Sequence, residues 1–139
     1  MNSSTPAQSS QPSAPNPHKG RSGLNRIIWA TLYSYHGLWA GLKHESAFRQ
    51  EAALAAVMLP TALWLGRTWV ETAMLIAVVM LVLIVELLNS GIEAVVDRVS
   101  LDLHDLSKRA KDFGSAAVHL SLLLCGGVWA CALYQRFAS

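Results

Sequence analysis

The residues most able to do chemistry in this sequence are acidic side chains inside an apolar stretch. The segment 72–96 carries Glu86 and Glu93 as its only charged residues. An ionisable residue inside a membrane helix costs on the order of 2.5 kcal/mol or more, so such a residue usually marks function. At ~100° per residue, positions 86, 89, 93 and 97 share one helix face. Glu86, Asn89, Glu93 and Asp97 are therefore predicted to form one polar stripe.

The polar stripe is graded in depth. Glu86 is predicted to lie deepest, about 10 Å from Glu93 along the helix axis. Such a gradient suits a reaction between a lipid and a water-soluble partner, because the deep carboxylate can meet the lipid and the shallow one the soluble reactant. The alternative is a stripe that only holds helices together or lines an ion path. Ser, Asn or small residues would hold helices together without burying charge.

Further polar residues belong to the same side of a membrane. They open the first and third apolar segments and occupy the loop before the third: Glu45, Arg49, Gln50, Glu51, Lys111, Asp112, Asp102, His104 and Asp105. Carboxylates that converge with a lysine near phosphates can hold magnesium and neutralise a transferring phosphoryl group. For the loop residues, a solvated run of interfacial charges is an equally good interpretation. The sequence contains no P-loop or protein-kinase motif, so any phosphoryl transfer must use another scaffold.

Composition predicts a membrane protein of one domain. The chain has 139 residues, of which 53% are hydrophobic and only 14% are charged. That is more apolar surface than a soluble core of this size could enclose. A net charge of +2 is too weak to indicate nucleic acid. Cys125 and Cys131 match no metal or redox spacing.

The apolar pattern predicts an all-α membrane protein. A Ser-, Pro- and Gln-rich tail at 1–22 is predicted to be disordered, because it has few large apolar residues. The remainder, 23–139, is predicted to be one membrane domain. It would contain an amphipathic surface helix at 24–43 and three transmembrane helices at about 48–66, 71–97 and 112–135.

The basic residues predict the orientation of these helices. They lie before the first span and between the second and third spans: Lys19, Arg21, Arg26, Lys43, Arg98, Lys108, Arg109 and Lys111. Basic residues near span ends favour the cytoplasmic side. The N-terminus is thus predicted to be cytoplasmic and the C-terminus to be outside.

Three separated runs resemble one family. The run VELLNSGIEAVVDR at 85–98 resembles the signature of prokaryotic diacylglycerol kinase. The runs at 45–51 and 104–117 are similar to that family's other two marked stretches, in the same order. The resemblance covers residue 24 to the C-terminus. It implies a homotrimer in the bacterial inner membrane, with sites at subunit interfaces, that converts diacylglycerol to phosphatidic acid with MgATP.

The resemblance also implies roles for matching residues. Glu86 would be the catalytic base with Asn89 beside it, and Glu45 and Glu93 would hold the magnesium ion. The implied ATP-binding residues are Arg26, Tyr33, Glu45, Glu93, Asp102, His104, Lys111 and Asp112. The implied lipid-binding residues are Arg26, Ser34, Arg49, Gln50, Glu86, Asn89 and Ser115.

Two other functions remain open from the residues. One is a polyprenol kinase of the same architecture, and the other is a non-catalytic subunit with three spans. Oligomerisation is expected because three thin spans cannot surround a headgroup, a metal and a nucleotide while also shielding Glu86 and Glu93 from hydrocarbon. These carboxylates are therefore predicted to face other chains.

Overall fold

The chain folds into helices joined by short connections. A computed structural model describes residues 23–99 and 104–138. It contains α1 (Leu24–His44), α2 (Ser46–Leu65), α3 (Trp69–Val99) and α4 (Asp105–Ala138). No strand occurs within the described residues, which confirms the all-helical prediction. The predicted tail and Asp102 lie outside those residues.

The chain divides into two compact units, Met1–Ser34 and Tyr35–Ser139, and the boundary falls within α1. The helix α1 is one residue longer than the predicted helix at 24–43. In the part of α1 that belongs to the second unit, Leu38 and Trp39 are exposed. Its predicted position on a membrane surface stays a prediction.

Local signals set the ends of α2. Glu45 is extended and precedes the first turn, and Gly66 ends the helix by donating its N–H to the Ala62 carbonyl. A side chain on Gly66 would collide with the backbone of Thr72, so the turn requires a glycine there. The helix continues through Pro60.

The start of α3 is capped by its own sequence. The Thr68 hydroxyl accepts a hydrogen bond from the Glu71 N–H at 3.1 Å. The Glu71 carboxylate in turn accepts one from the Arg67 N–H at 2.8 Å. This reciprocal pattern resembles a capping box, which satisfies N–H groups that have no partner inside the helix.

The core of the second unit is centred on α3, which packs against both α2 and α4. Leu65 and Leu75 are fully buried. They belong to a cluster that also contains Ala55, Ala62, Val78, Val79, Val82, Cys125, Trp129 and Ala132. The Trp129 indole Nε1–H donates to the Leu75 carbonyl at 3.3 Å and so joins α4 to α3. Most of this cluster lies toward the end that carries Gly66.

Two helices, α3 and α4, are long and apolar enough to cross a bilayer. Many of their large side chains, such as Ile84, Leu88 and Leu123, are exposed. Apolar surface of this extent requires lipid or other chains to cover it. The finding supports a membrane protein with two candidate spans among the described residues; the role of α2 as a third span is taken up below.

Candidate active site

The side chains of the polar stripe become more exposed along α3. Glu86 is only 4% exposed, Asn89 and Glu93 are half-buried, and Asp97 is exposed. The Asn89 side-chain amide Nδ2 donates a hydrogen bond to Glu93 Oε1 at 3.3 Å. Asn89 and Glu93 lie one turn apart on the same helix, so the Asn89 side chain can orient the Glu93 carboxylate.

The prediction that Glu86 and Glu93 face other chains concerns an assembly and stays a prediction. Within the one chain, Glu86 is only 4% exposed. The physical reason is that α2 and α4 both pack on α3, so a deep residue of the stripe is covered from the sides.

The beginning of α2 brings two more carboxylates to Glu86. Glu45 is the residue before the first helical turn, yet its side chain makes no capping hydrogen bond. Its carboxylate lies within electrostatic range of Glu86, as does that of Glu93. Glu51 is half-buried, also lies within electrostatic range of Glu86, and its Oε2 has no hydrogen-bond partner among the described residues. Carboxylates from α3 and from the beginning of α2 therefore lie near the carboxylate of Glu86.

The beginning of α4 contributes a cation and a close packing point. Lys111 Nζ binds Asp97 Oδ1 at 2.9 Å, which links α4 to the shallow end of the stripe. Gly114 is buried, and a side chain there would meet Asn89 Oδ1. That oxygen is buried and has no hydrogen-bond partner within the described part of the chain. Asn89 is thus held between Glu93 and the backbone of α4.

Two predicted site residues have structural partners. Arg49 Nη1 donates to the carbonyls of Leu42 and Lys43 at 3.4 and 3.2 Å, and so satisfies the last turn of α1. His104 Nδ1 accepts the N–H of Leu106 at 3.2 Å and caps the start of α4. The Arg49 side chain therefore stabilises the end of α1, and the His104 side chain stabilises the start of α4.

The other predicted site residues are less closely engaged. Gln50, Asp112 and Ser115 are exposed. The residues Arg26, Tyr33 and Ser34 lie in the first unit, where the Ser34 hydroxyl donates to the Ala30 carbonyl at 2.9 Å and the Tyr33 ring lies 6.0 Å from that of Trp29.

The donor set suits a hard cation, although no group of three metal-ligating side chains occurs among the described residues. Magnesium usually keeps several waters and takes only one or two carboxylates together with substrate phosphates. Glu45 and Glu93 are two carboxylates that each lie within electrostatic range of Glu86. The lack of a capping bond at Glu45 leaves its oxygens available. The residues present therefore fit a magnesium ion shared with a nucleotide.

A larger cavity of about 700 Å³ lies elsewhere, between the first half of α3 and the second half of α4. Its lining is mostly apolar, with Met74, Leu124 and Val128, also includes Glu71 and Gln135, and contains none of the stripe residues.

The sequence predicted Glu51 and Asp97 as members of polar groups without individual roles, and it did not predict a role for Gly114. The pairing of Asp97 with Lys111 and the contact of Gly114 with Asn89 have no signal in the sequence, because each joins α3 to α4.

The chain combines helices apolar enough to cross a bilayer with a buried carboxylate that has other acidic residues and a lysine nearby, which are the features of a membrane protein with a polar site. The family model for prokaryotic diacylglycerol kinase matches residues 32–133. The chain belongs to the prokaryotic diacylglycerol kinase family. It is therefore a kinase, which decides against the non-catalytic subunit considered above. Arg26 lies before the matched residues.

Curated relatives match over most of the chain. The diacylglycerol kinase of Pseudomonas aeruginosa is 52% identical over 120 residues, covering 86% of this chain and 98% of the relative. That of Haemophilus influenzae is 46% identical over 112 residues, covering 81% and 95%. That of Escherichia coli is 46% identical over 115 residues, covering 83% and 94%.

Proposed function

We propose that this chain phosphorylates the free hydroxyl of 1,2-diacylglycerol with MgATP, giving phosphatidic acid, and that Glu86 is the general base. The observation that carries the proposal is the position of Glu86: 4% exposed, in an apolar helix, with Glu45, Glu51 and Glu93 within electrostatic range. A carboxylate so placed has little structural use and can meet a lipid headgroup that approaches from the membrane.

In the proposed reaction, a Glu86 carboxylate oxygen accepts the hydroxyl proton of the lipid. The lipid oxygen forms a bond to the γ-phosphorus of ATP while the bond from that phosphorus to the β,γ-bridging oxygen breaks, and ADP leaves. Asn89 would contact the same hydroxyl region and would hold Glu93 through the bond at 3.3 Å. Because the bilayer already orients the lipid hydroxyl toward the membrane surface, less orientational freedom is lost when the lipid binds.

Glu45 and Glu93 would hold the magnesium ion, which when bound would neutralise charge on the ATP phosphates. Lys111, at the shallow end of the stripe, would offset charge on the transferring group. Arg26, Tyr33, Asp102, His104 and Asp112 remain proposed nucleotide-binding residues. Ser34, Arg49, Gln50 and Ser115 remain proposed lipid-binding residues.

The proposed architecture has α1 on the cytoplasmic surface and α2, α3 and α4 crossing the inner membrane, with the C-terminus outside. Support for α2 as a span comes from its exposed apolar residues Leu54, Val57 and Leu63. Support for a homotrimer with sites at subunit interfaces comes from the family and from the exposed apolar faces that one chain leaves uncovered. The mass of the purified protein in nanodiscs tests the trimer, and a monomer or dimer would contradict it.

A direct assay tests the reaction. Purified protein in lipid nanodiscs would receive ATP, magnesium and either a diacylglycerol or a long polyprenol, with the product identified by mass spectrometry. We expect phosphatidic acid from the first and little or no polyprenyl phosphate from the second. Faster phosphorylation of the polyprenol would show that this protein is a polyprenol kinase and not a diacylglycerol kinase.

A further inference from the structure

The lysine of the site is held by an aspartate to which the proposed reaction assigns no role. Lys111 Nζ binds Asp97 Oδ1 at 2.9 Å, and Lys111 also lies within electrostatic range of Glu93. The side chains of Lys111 and Asp97 are 40% and 55% exposed. An ion pair with this much exposure contributes little to stability, because water screens it and both side chains lose freedom in forming it. A contribution to stability therefore does not account for the ion pair between Lys111 and Asp97.

We propose that Asp97 is a positioning residue that holds the Lys111 ammonium beside Glu93, where the phosphates of the nucleotide would bind. This role rests on the proposed function, in which Lys111 contacts ATP. A lysine has a flexible four-carbon stem, and ordering it when a phosphate arrives costs rotamer entropy. A lysine already held by Asp97 has lost much of that freedom before the nucleotide binds.

The bond count permits this role. An ammonium has three N–H donors, and Asp97 uses one of them, which leaves two for phosphate oxygens. Asp97 follows Glu93 by about one helical turn on the same face of α3. The ion pair therefore brings a cation from α4 to the carboxylate that is proposed to bind magnesium.

The opposite role is competition, in which Asp97 withholds Lys111 from the phosphates. The two roles predict opposite changes in nucleotide affinity. Positioning is favoured because the pair is exposed: at high effective dielectric the lysine keeps most of its attraction for a second anion.

The Asp97→Asn variant tests the positioning role by kinetics at saturating lipid. We expect the KM for ATP to rise about fivefold, because the lysine must then be ordered when the nucleotide binds, while kcat stays within about twofold. In a Lys111→Met background the same substitution should change KM little, since the residue it positions is gone. A merely structural role would not give this dependence on Lys111.

Glu71→Gln is the matched control. It also removes one carboxylate charge from α3, but from the first turn, at the opposite end of the helix from Asp97. Its KM for ATP should stay at the wild-type value. An unchanged or lowered KM in Asp97→Asn, or additive effects in the double variant, would overturn the positioning role.

Binding of a fluorescent ATP analogue separates this role from the reaction itself. If wild type binds the analogue but phosphorylates no lipid, the proposed function fails, while the coupling between Asp97 and Lys111 can still be measured from analogue affinity. If Lys111→Met binds the analogue as tightly as wild type, the nucleotide contact of Lys111 and the positioning role of Asp97 both fall.

Discussion

Gly114 of α4 lies directly against the side chain of Asn89 on α3, so closely that a β-carbon on Gly114 would meet Asn89 Oδ1. The same asparagine donates to Glu93. The Asn89 side chain thus contacts both the backbone of α4 at Gly114 and the carboxylate of Glu93.

The Gly114→Ala variant is expected to remain folded but to lose on the order of 100-fold in kcat/KM. The new methyl group would displace Asn89 and release Glu93, and a misplacement of about 1 Å can cost that much. Alanine also favours the helix by about 1 kcal/mol over glycine, which offsets part of the strain. Lipid kinase assays and thermal unfolding in detergent provide the two measurements.

Gly126→Ala is the control, since a β-carbon there meets nothing within 4 Å. It makes the same substitution in the same helix, and its activity should equal that of wild type. If both variants lose activity equally, the contact between Gly114 and Asn89 is not the cause.

Glu86→Gln is expected to lower kcat by roughly 100-fold or more, because the amide keeps the shape of the side chain but cannot accept the hydroxyl proton. Glu71→Gln, a half-buried carboxylate at the opposite end of α3, should leave kcat unchanged. Phosphate transfer to radiolabelled or mass-tagged diacylglycerol measures both. Activity within about tenfold of wild type in Glu86→Gln would remove this residue from the base role.

Glu45→Gln and Glu93→Gln are each expected to raise the magnesium concentration needed for half-maximal activity, by on the order of tenfold or more. Each change removes a hard oxygen anion from the proposed ion site, and even the loss of an outer-shell partner typically weakens metal binding by about 10-fold to 100-fold. Magnesium titrations at fixed ATP provide the measurement. Superimposable titrations for wild type and both variants would indicate that ATP alone holds the metal.

Trp129→Phe is expected to destabilise the protein by about 0.6 to 1.7 kcal/mol while leaving the KM for ATP unchanged. The substitution removes the hydrogen bond to the Leu75 carbonyl, and such interhelical bonds in membranes have about this strength. Trp69→Phe is the control, because Trp69 is 87% exposed. Unfolding midpoints that fall equally in both variants would show that the buried bond contributes nothing.

The features that follow from periodicity within one helix could be predicted from the sequence. The stripe at 86, 89, 93 and 97 needed only the helical repeat. The decrease in burial from Glu86 to Asp97 is an observation of the structure, and the predicted depth in a membrane stays a prediction. Helix ends were harder, because capping moves them by a few residues. Thus α4 begins at Asp105, where His104 caps it, and it extends well before the predicted span at 112–135.

Contacts between helices could not be predicted in the same way. The pairing of Lys111 with Asp97 depends on the register of α4 against α3, which no pattern within either helix determines. The Arg49 side chain was expected to border the lipid, but its carbonyl partners at Leu42 and Lys43 become visible only when the turn between α1 and α2 is known.

The turn between α2 and α3 also has a consequence for biosynthesis. Only residues 66–68 separate these helices, so α2 and α3 form a hairpin with Arg67 in its turn. The Arg67 guanidinium donates to the Gln135 carbonyl, a partner 68 residues later in the chain. Because Gln135 is synthesised after both helices of this hairpin, the bond can form only once nearly all of α4 has been made. The helix α4 therefore ties the turn of a hairpin that is synthesised before it, and truncation before Gln135 would leave Arg67 without this bond.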